Sequence, residues 1–353
     1  QVCFHEHDRA AYRAATGKEY PDAVRIKNGV SYTKLPDFPA NRVVADDHEL
    51  LQFYRWFWRE GDGWNAVHSA VNDGLKSTGR DDLWSFFDPA VRVPSIWGSG
   101  GNMDFISHWT YSYPDPIRIG LCTDELFAMA GGNPEQDVMK MTQIIWYRSQ
   151  TAPAPDGASP ADEQSTWEDQ DPDAAYITIA PMHLKEAFWT KIARPIKGIM
   201  YHGWQSLVPS QSHSAYRYTH AETKNALKDL VDTVVKPFGP TLLQVPAAKA
   251  DVAFLESFTS QIFAGRGTYG WGGSWAGDAY HVLQYAHLQS DIIYEETIES
   301  RGLDGYRILV LTDCDVLTES VVAAIQAFQK AGGIVVGDER LCPAINADVV
   351  VPV

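Results

Sequence analysis

Apolar positions along the chain fall into alternating helical and extended periods. Glu49-Leu50-Leu51-Gln52-Phe53-Tyr54-Arg55-Trp56-Phe57-Trp58 carries helical spacing, and the same face continues past Gly61 and Gly63 through Trp64, Val67, Val71 and Leu75. Lys76-Ser77-Thr78-Gly79 is a helix stop. Short extended runs follow at Leu83–Asp88, Phe105–Tyr111, Gln143–Arg148 and Lys197–Trp204. A helix over Met182–Arg194, with Leu184, Phe188 and Ile192 on one face, lies between the last two. A long helix is expected over His220–Val235. Tyr306–Leu311 is nearly continuously apolar, as in a strand covered on both faces. Thr318 can cap a helix carrying Val321, Ile325 and Phe328, Gly332-Gly333 ends it, and Ile334-Val335-Val336 resumes the sheet. Strands alternating with helices imply parallel pairing. Polar and aromatic residues gather at the C-terminal ends of the strands, where a β/α barrel carries its site.

These elements predict an α/β protein: a (β/α) TIM-type barrel portion over 1–210, a helical connection over 211–267, and a second α/β module over 268–353. Residues 151–173 hold four prolines and seven acids with no basic residue, which reads as a surface loop. Gln1 without a Met and the strand-like Val349-Val350-Val351-Pro352-Val353 read as cuts in a longer enzyme.

Charge and composition narrow the function. The 353 residues carry a formal net charge of −16 and no Lys/Arg cluster, which argues against a nucleic-acid partner. No apolar run approaches the ~20 residues of a membrane span. Cys3, Cys122, Cys314 and Cys342 are far apart and read as free thiols. The 12 Trp, 16 Tyr and 14 Phe often sit beside Gly, Ser or Asn, as in Trp97-Gly98-Ser99-Gly100-Gly101 and Trp271-Gly272-Gly273-Ser274-Trp275. Rings on loops suit the flat faces of sugars, and they equally fill cores with one polar tip satisfied.

Several clusters could carry chemistry. Cys3, His5, His7 and Asp8 could ligate zinc, or form a polar loop. Asp104, His108, Tyr111, Tyr113 and Asp115 surround the second extended run. Asp124 and Glu125 could supply a general acid or nucleophile, or open a helix through Leu126-Phe127-Ala128-Met129. Trp146, Tyr147, Arg148 and Gln150 end the third run, and His202 and Trp204 end the fourth. Arg148 could clamp a carboxylate or sulfate, or pair with Asp124 or Glu125. There is no Gly-rich phosphate loop followed by Lys and no G-x-S-x-G elbow.

The order of these pieces resembles family 42 glycoside hydrolases, the β-galactosidase group with (β/α)8 barrels. Cys3-Phe4-His5-Glu6-His7-Asp8, with Tyr12 and Thr16-Gly17-Lys18-Glu19-Tyr20, looks like the segment after the family's acid/base strand. A cysteine cluster can bind zinc there, and Cys3, His5 and Asp8 keep its spacing with two ligands changed. Met182–Trp204 looks like the last helix and last barrel strand. Trp271–Val353 is similar to the family's flavodoxin-like (class I amidotransferase-like) trimerisation domain. The resemblance implies a glycosidase acting on a β-linked sugar, a homo-oligomer (a trimer in the family), and no required cofactor beyond a structural zinc. It places the acid/base Glu and the first half of the barrel before Gln1. The nucleophile Glu should close the run Gln143–Arg148, where the chain reads Trp146-Tyr147-Arg148-Ser149-Gln150 without a carboxylate. Retaining hydrolysis needs two carboxyl groups. Either Glu125 or Asp124 has taken over, or the strand alignment is off, or this member does not hydrolyse as the family does; if the chain is catalytic, Glu125 or Asp124 is the carboxylate expected in it. Asp104, His108, Tyr111, Trp146, Tyr147, Arg148, His202 and Trp204 are the expected substrate contacts. The alternatives are a non-catalytic carbohydrate-binding or scaffold protein with a degenerate site, and a metal-dependent hydrolase using His5, His7 and Asp8.

Overall fold

A computed structural model describes residues 2–25, 29–61, 63–88, 95–108, 115–147, 176–208, 220–267 and 275–353. The chain forms two compact units. One holds 1–106, 124–137 and 249–353, and the other holds 107–123 and 138–248. Both are mixed α/β with parallel pairing.

The first unit is organised by a five-stranded parallel sheet. Its strands along the chain are Val252–Glu256, Ser290–Tyr294, Ile308–Leu311, Ile334–Asp338 and Val349–Val351. Across the sheet the order is second, first, third, fourth, fifth. Val252–Glu256 lies inside the segment read from sequence as a helical connection, so the sheet begins earlier than Thr268. Its five residues are all buried, which erases the period-two pattern that marks a half-exposed strand. The helix Glu319–Lys330 lays Val321, Ile325 and Phe328 on Leu309, Leu311 and Val335, as its apolar spacing predicts. Val349–Val351 pairs in parallel with Val336–Asp338.

The N-terminal residues belong to this same unit. Val43–Val44 pairs in parallel with Leu317–Thr318, and the Arg42 guanidinium donates to the carbonyls of Arg340 (2.9 Å) and Leu341 (2.8 Å). Arg55 reaches the fully buried Glu295 at 3.4 Å. The Ser257 and Thr259 hydroxyls also donate to that carboxylate, at 2.8 and 2.9 Å. A buried charge needs such partners to be tolerated. Tyr12, Tyr20, Phe53 and Trp56 interlock edge-to-face with centroids 4.6–6.5 Å apart. Residues 1–106 therefore cluster with the C-terminal sheet rather than with the whole of 1–210.

The helix beginning at Glu49 does not continue to Leu75. It ends at Arg59, and a second helix covers Trp64–Lys76. The turn between them is tight. A β-carbon on Gly63 would stand 2.4 Å from the Phe57 carbonyl oxygen, and the Gly63 amide donates to that oxygen at 2.8 Å. Two glycines within an apolar helical pattern mark a break here, not a tolerated interior position.

In the second unit, Met139–Gln143 pairs in parallel with Gly198–His202. The run read as one strand over Gln143–Arg148 divides at Ile144. The parallel strand Asp137–Gln143 precedes it, and Ile145–Tyr147 pairs antiparallel with Tyr176–Thr178. Ile144, Trp146, Ile177, Ile179, Leu184, Leu207 and Leu227 form the core around this hairpin. The helix Pro181–Ile192 lies where the pattern places it, and the helix from Glu222 runs on through a π-turn at Val231–Val235 to Leu242. The acidic segment 151–173 lies outside the described residues.

Candidate functional site

In a parallel sheet the C-terminal strand ends face the loops that bind ligands. In the second unit those ends are Gln143 and His202, which are ladder partners. Gln143 is 3 % exposed, and neither its Oε1 nor its Nε2 has a hydrogen-bond partner among the described residues. His202 is half-buried, and burial lowers its pKa, so its imidazole is neutral near pH 7. Gly203 follows in a left-handed conformation, φ 84°, and a β-carbon there would stand 2.7 Å from the Ile145 side chain. Only glycine fits, and the turn it makes projects Trp204 outward at 57 % exposure. Polar, ionisable and aromatic groups thus follow one another along two strand ends.

Beneath this end lie two lysines that the sequence reading passed over. Lys140 is fully buried and donates to the His108 carbonyl at 2.9 Å, and Lys191 donates to Thr142 Oγ1 at 2.6 Å. Burial first, and then the charge of Lys140, hold the Lys191 pKa well below its ordinary value, while Cys122 pulls the other way. His108 is also pushed down, chiefly by burial and secondarily by Lys140. Burial of Tyr201 lifts its phenol to about 12. Lys140 stands among Val138, Met139 and Met141. A lysine within an apolar extended run signals a buried polar contact, and strand Asp137–Gln143 was not recognised from sequence because its acid, lysine and glutamine obscure the pattern.

The other sequence candidates are scattered. Trp146 is a core residue beside His183, with centroids 4.9 Å apart. Tyr147 ends its strand. Tyr111, Tyr113, Arg148 and Gln150 lie outside the described residues. Asp104 precedes the strand Phe105–Ile106 and is an anchor, bonded to Lys76 Nζ at 2.8 Å and to the Ser85 amide at 2.7 Å. Burial raises its pKa, but these bonds outweigh burial and leave it lowered. Asp115 accepts from the Arg118 amide at 3.0 Å, and so caps the helix Pro116–Ala130.

That helix carries Asp124 and Glu125 in its middle, not at its start or at a strand end. Both belong to the first unit. Asp124 accepts from the Tyr280 phenol. Glu125 is 1 % exposed and close enough to Tyr294 to raise the pKa of that phenol, after burial and ahead of Glu256. Tyr294 in turn bonds Ser95, whose carbonyl accepts from Gln261 Nε2 at 3.0 Å, and Gln261 reaches Glu256 at 2.8 Å.

Near the N-terminus, His5 caps the helix Glu6–Thr16, its Nδ1 accepting from the His7 amide at 3.2 Å, while Asp8 is buried beside His7 and Cys3 is exposed. Among the described residues no three of His, Cys, Asp and Glu gather closely enough to hold a metal ion.

No protein-family model matches the chain, and no curated protein matches it in sequence. Solved structures do match its fold. Gan42B, a GH42 β-galactosidase from G. stearothermophilus, aligns with 95 % of this chain over 47 % of its own, at 11 % identity and a TM-score of 0.52. A catalytic mutant of the same enzyme gives 12 % identity and 0.50 over the same shares. The β-galactosidase from Rahnella sp. R3 aligns with 82 % of this chain and 41 % of its own, at 13 % identity and 0.49. The chain spans less than half the length of each of these enzymes. At such identities the likeness is one of fold.

Proposed function

We propose that this chain is part of a glycoside hydrolase acting on a β-linked sugar, β-galactosidase-like in its substrate. The observation that carries the reading is the fold likeness to a GH42 β-galactosidase along 95 % of the chain. The strand-end group of Gln143, His202 and Trp204 supports it, since a sugar needs hydrogen-bonding edges and an aromatic face. A portion of a β/α barrel is proposed within 1–210 and a flavodoxin-like domain for the C-terminal sheet, whose strand order is the flavodoxin one. Of the carboxylates in this chain, Glu125 or Asp124 is the candidate catalytic group. Incubating the protein and its Glu125→Gln form with para-nitrophenyl β-galactoside tests the assignment. Loss of a hundredfold or more, the scale of a missing acid–base group, is expected. Equal rates remove Glu125.

A second reading is favoured by one observation. The resemblance expects a nucleophile carboxylate at the close of the run Gln143–Arg148, and Trp146-Tyr147-Arg148-Ser149-Gln150 holds none. That suits a protein that binds carbohydrate without cleaving it. Saturable binding without turnover would select this reading.

A further inference from the structure

Gln143 is the least explained polar group of the second unit. A buried side-chain amide offers two donors and an acceptor with two lone pairs. Leaving such groups unmet costs roughly 1–3 kcal/mol, and most buried polar groups in folded proteins are satisfied. Here a residue 3 % exposed leaves both ends of its amide without a partner among the described residues. Its neighbours offer no easy remedy. Lys191 is committed to Thr142, and Lys140 to the His108 carbonyl. Packing does not demand the amide either, because Met and Leu fill similar volume without the penalty. The residue sits at the last position of a parallel strand, the end that faces the ligand-binding loops in such sheets, and its ladder partner is the half-buried, neutral His202.

We propose that Gln143 is a ligand-binding residue whose amide closes a two-point hydrogen bond with adjacent hydroxyls of a sugar ring, with the side chain of His202 beside it. Each sugar hydroxyl both donates and accepts. A pair of neighbouring hydroxyls can therefore accept from Nε2–H with one oxygen and donate to Oε1 with the other. A phosphate or carboxylate would satisfy only the donor half, so the amide selects a neutral polyol over an anion. The proposal rests on the carbohydrate reading given above, and holds whether the sugar is cleaved or only bound.

The test uses Gln143→Met and Gln143→Leu in the whole protein. Affinity is measured by calorimetry with galactose, glucose and their para-nitrophenyl β-glycosides, and stability by thermal melting without sugar. The expected result has two parts. The melting temperature is unchanged or higher, because an unmet amide has been removed. The dissociation constant, or KM where turnover occurs, rises about tenfold or more, the equivalent of ~1.4 kcal/mol. Variants that melt lower and lose affinity in proportion show a structural role and overturn the proposal. Variants that bind as tightly as the original protein overturn it as well. If the unaltered protein binds and cleaves none of these sugars, it is the carbohydrate reading that fails, which is distinct from a normal sugar response that ignores residue 143.

Discussion

Lys191 sets the clearest residue-scale expectation. Its amine is buried beside Lys140, and burial is the main reason its pKa lies well below 10.5. The unfolded chain protonates this amine near that ordinary value. Between the lowered folded value and 10.5 the unfolded state therefore holds more protons, so the penalty at Lys191 grows as pH falls and vanishes above 10.5. Lys191→Met is expected to stabilise the protein by about 1 kcal/mol or more near pH 7, as when buried charges give way to apolar side chains of similar volume. The gain should shrink as the pH is raised toward 10. Thermal melting of both proteins across that range checks this, and a destabilised variant with a flat pH response would show the amine to be a favourable contact. Neither lysine was legible in the sequence as a site feature, because one charge in an extended run or in a helix looks the same whether it faces water or a core.

At the scale of elements, the strand-end turn at Gly203 holds His202 and Trp204 in place. Gly203→Ala would force a left-handed conformation on a residue with a β-carbon and drive that carbon to 2.7 Å from the Ile145 side chain. The expected cost is about 1–3 kcal/mol, together with weaker sugar binding from displaced neighbours. Chemical denaturation and calorimetry report the two effects separately, and unchanged stability would mean the turn relaxes freely. Element type was largely legible where apolar spacing is strong. The helices Glu49–Arg59 and Glu319–Lys330 and the strands Gly198–His202 and Ile308–Leu311 lie within the segments read from sequence, and the helix Pro181–Ile192 starts one residue before its own. It was not legible where tertiary context overrides the local pattern. A helix is split at Gly61, close against the Trp56 ring, and Gly63, close against the Phe57 backbone, and the antiparallel return of Tyr176–Thr178 splits a strand. Asp124 and Glu125 read like a helix start, yet the helix starts at Pro116, capped by Asp115. His202 and Trp204 were named as candidate site residues because they end a recognisable strand. Gln143 was noted only as a strand start, since its true strand was hidden.

For the whole molecule, partition into domains follows contacts that join distant parts of the chain. Arg42, Arg55 and Val43–Val44 tie the N-terminal segment to residues beyond 290, through carbonyls, a buried carboxylate and a two-residue parallel ladder. No periodicity within the first hundred residues could have announced those partners. What the fold likeness shows is the fold, and the question that matters most for the proposed carbohydrate reading is whether the protein cleaves a glycosidic bond. The most direct measurement is steady-state release of para-nitrophenol from β-linked galactoside and glucoside by the protein. The account predicts saturable release well above the uncatalysed rate. No release from any β-glycoside, even at sugar concentrations that saturate binding, would contradict it.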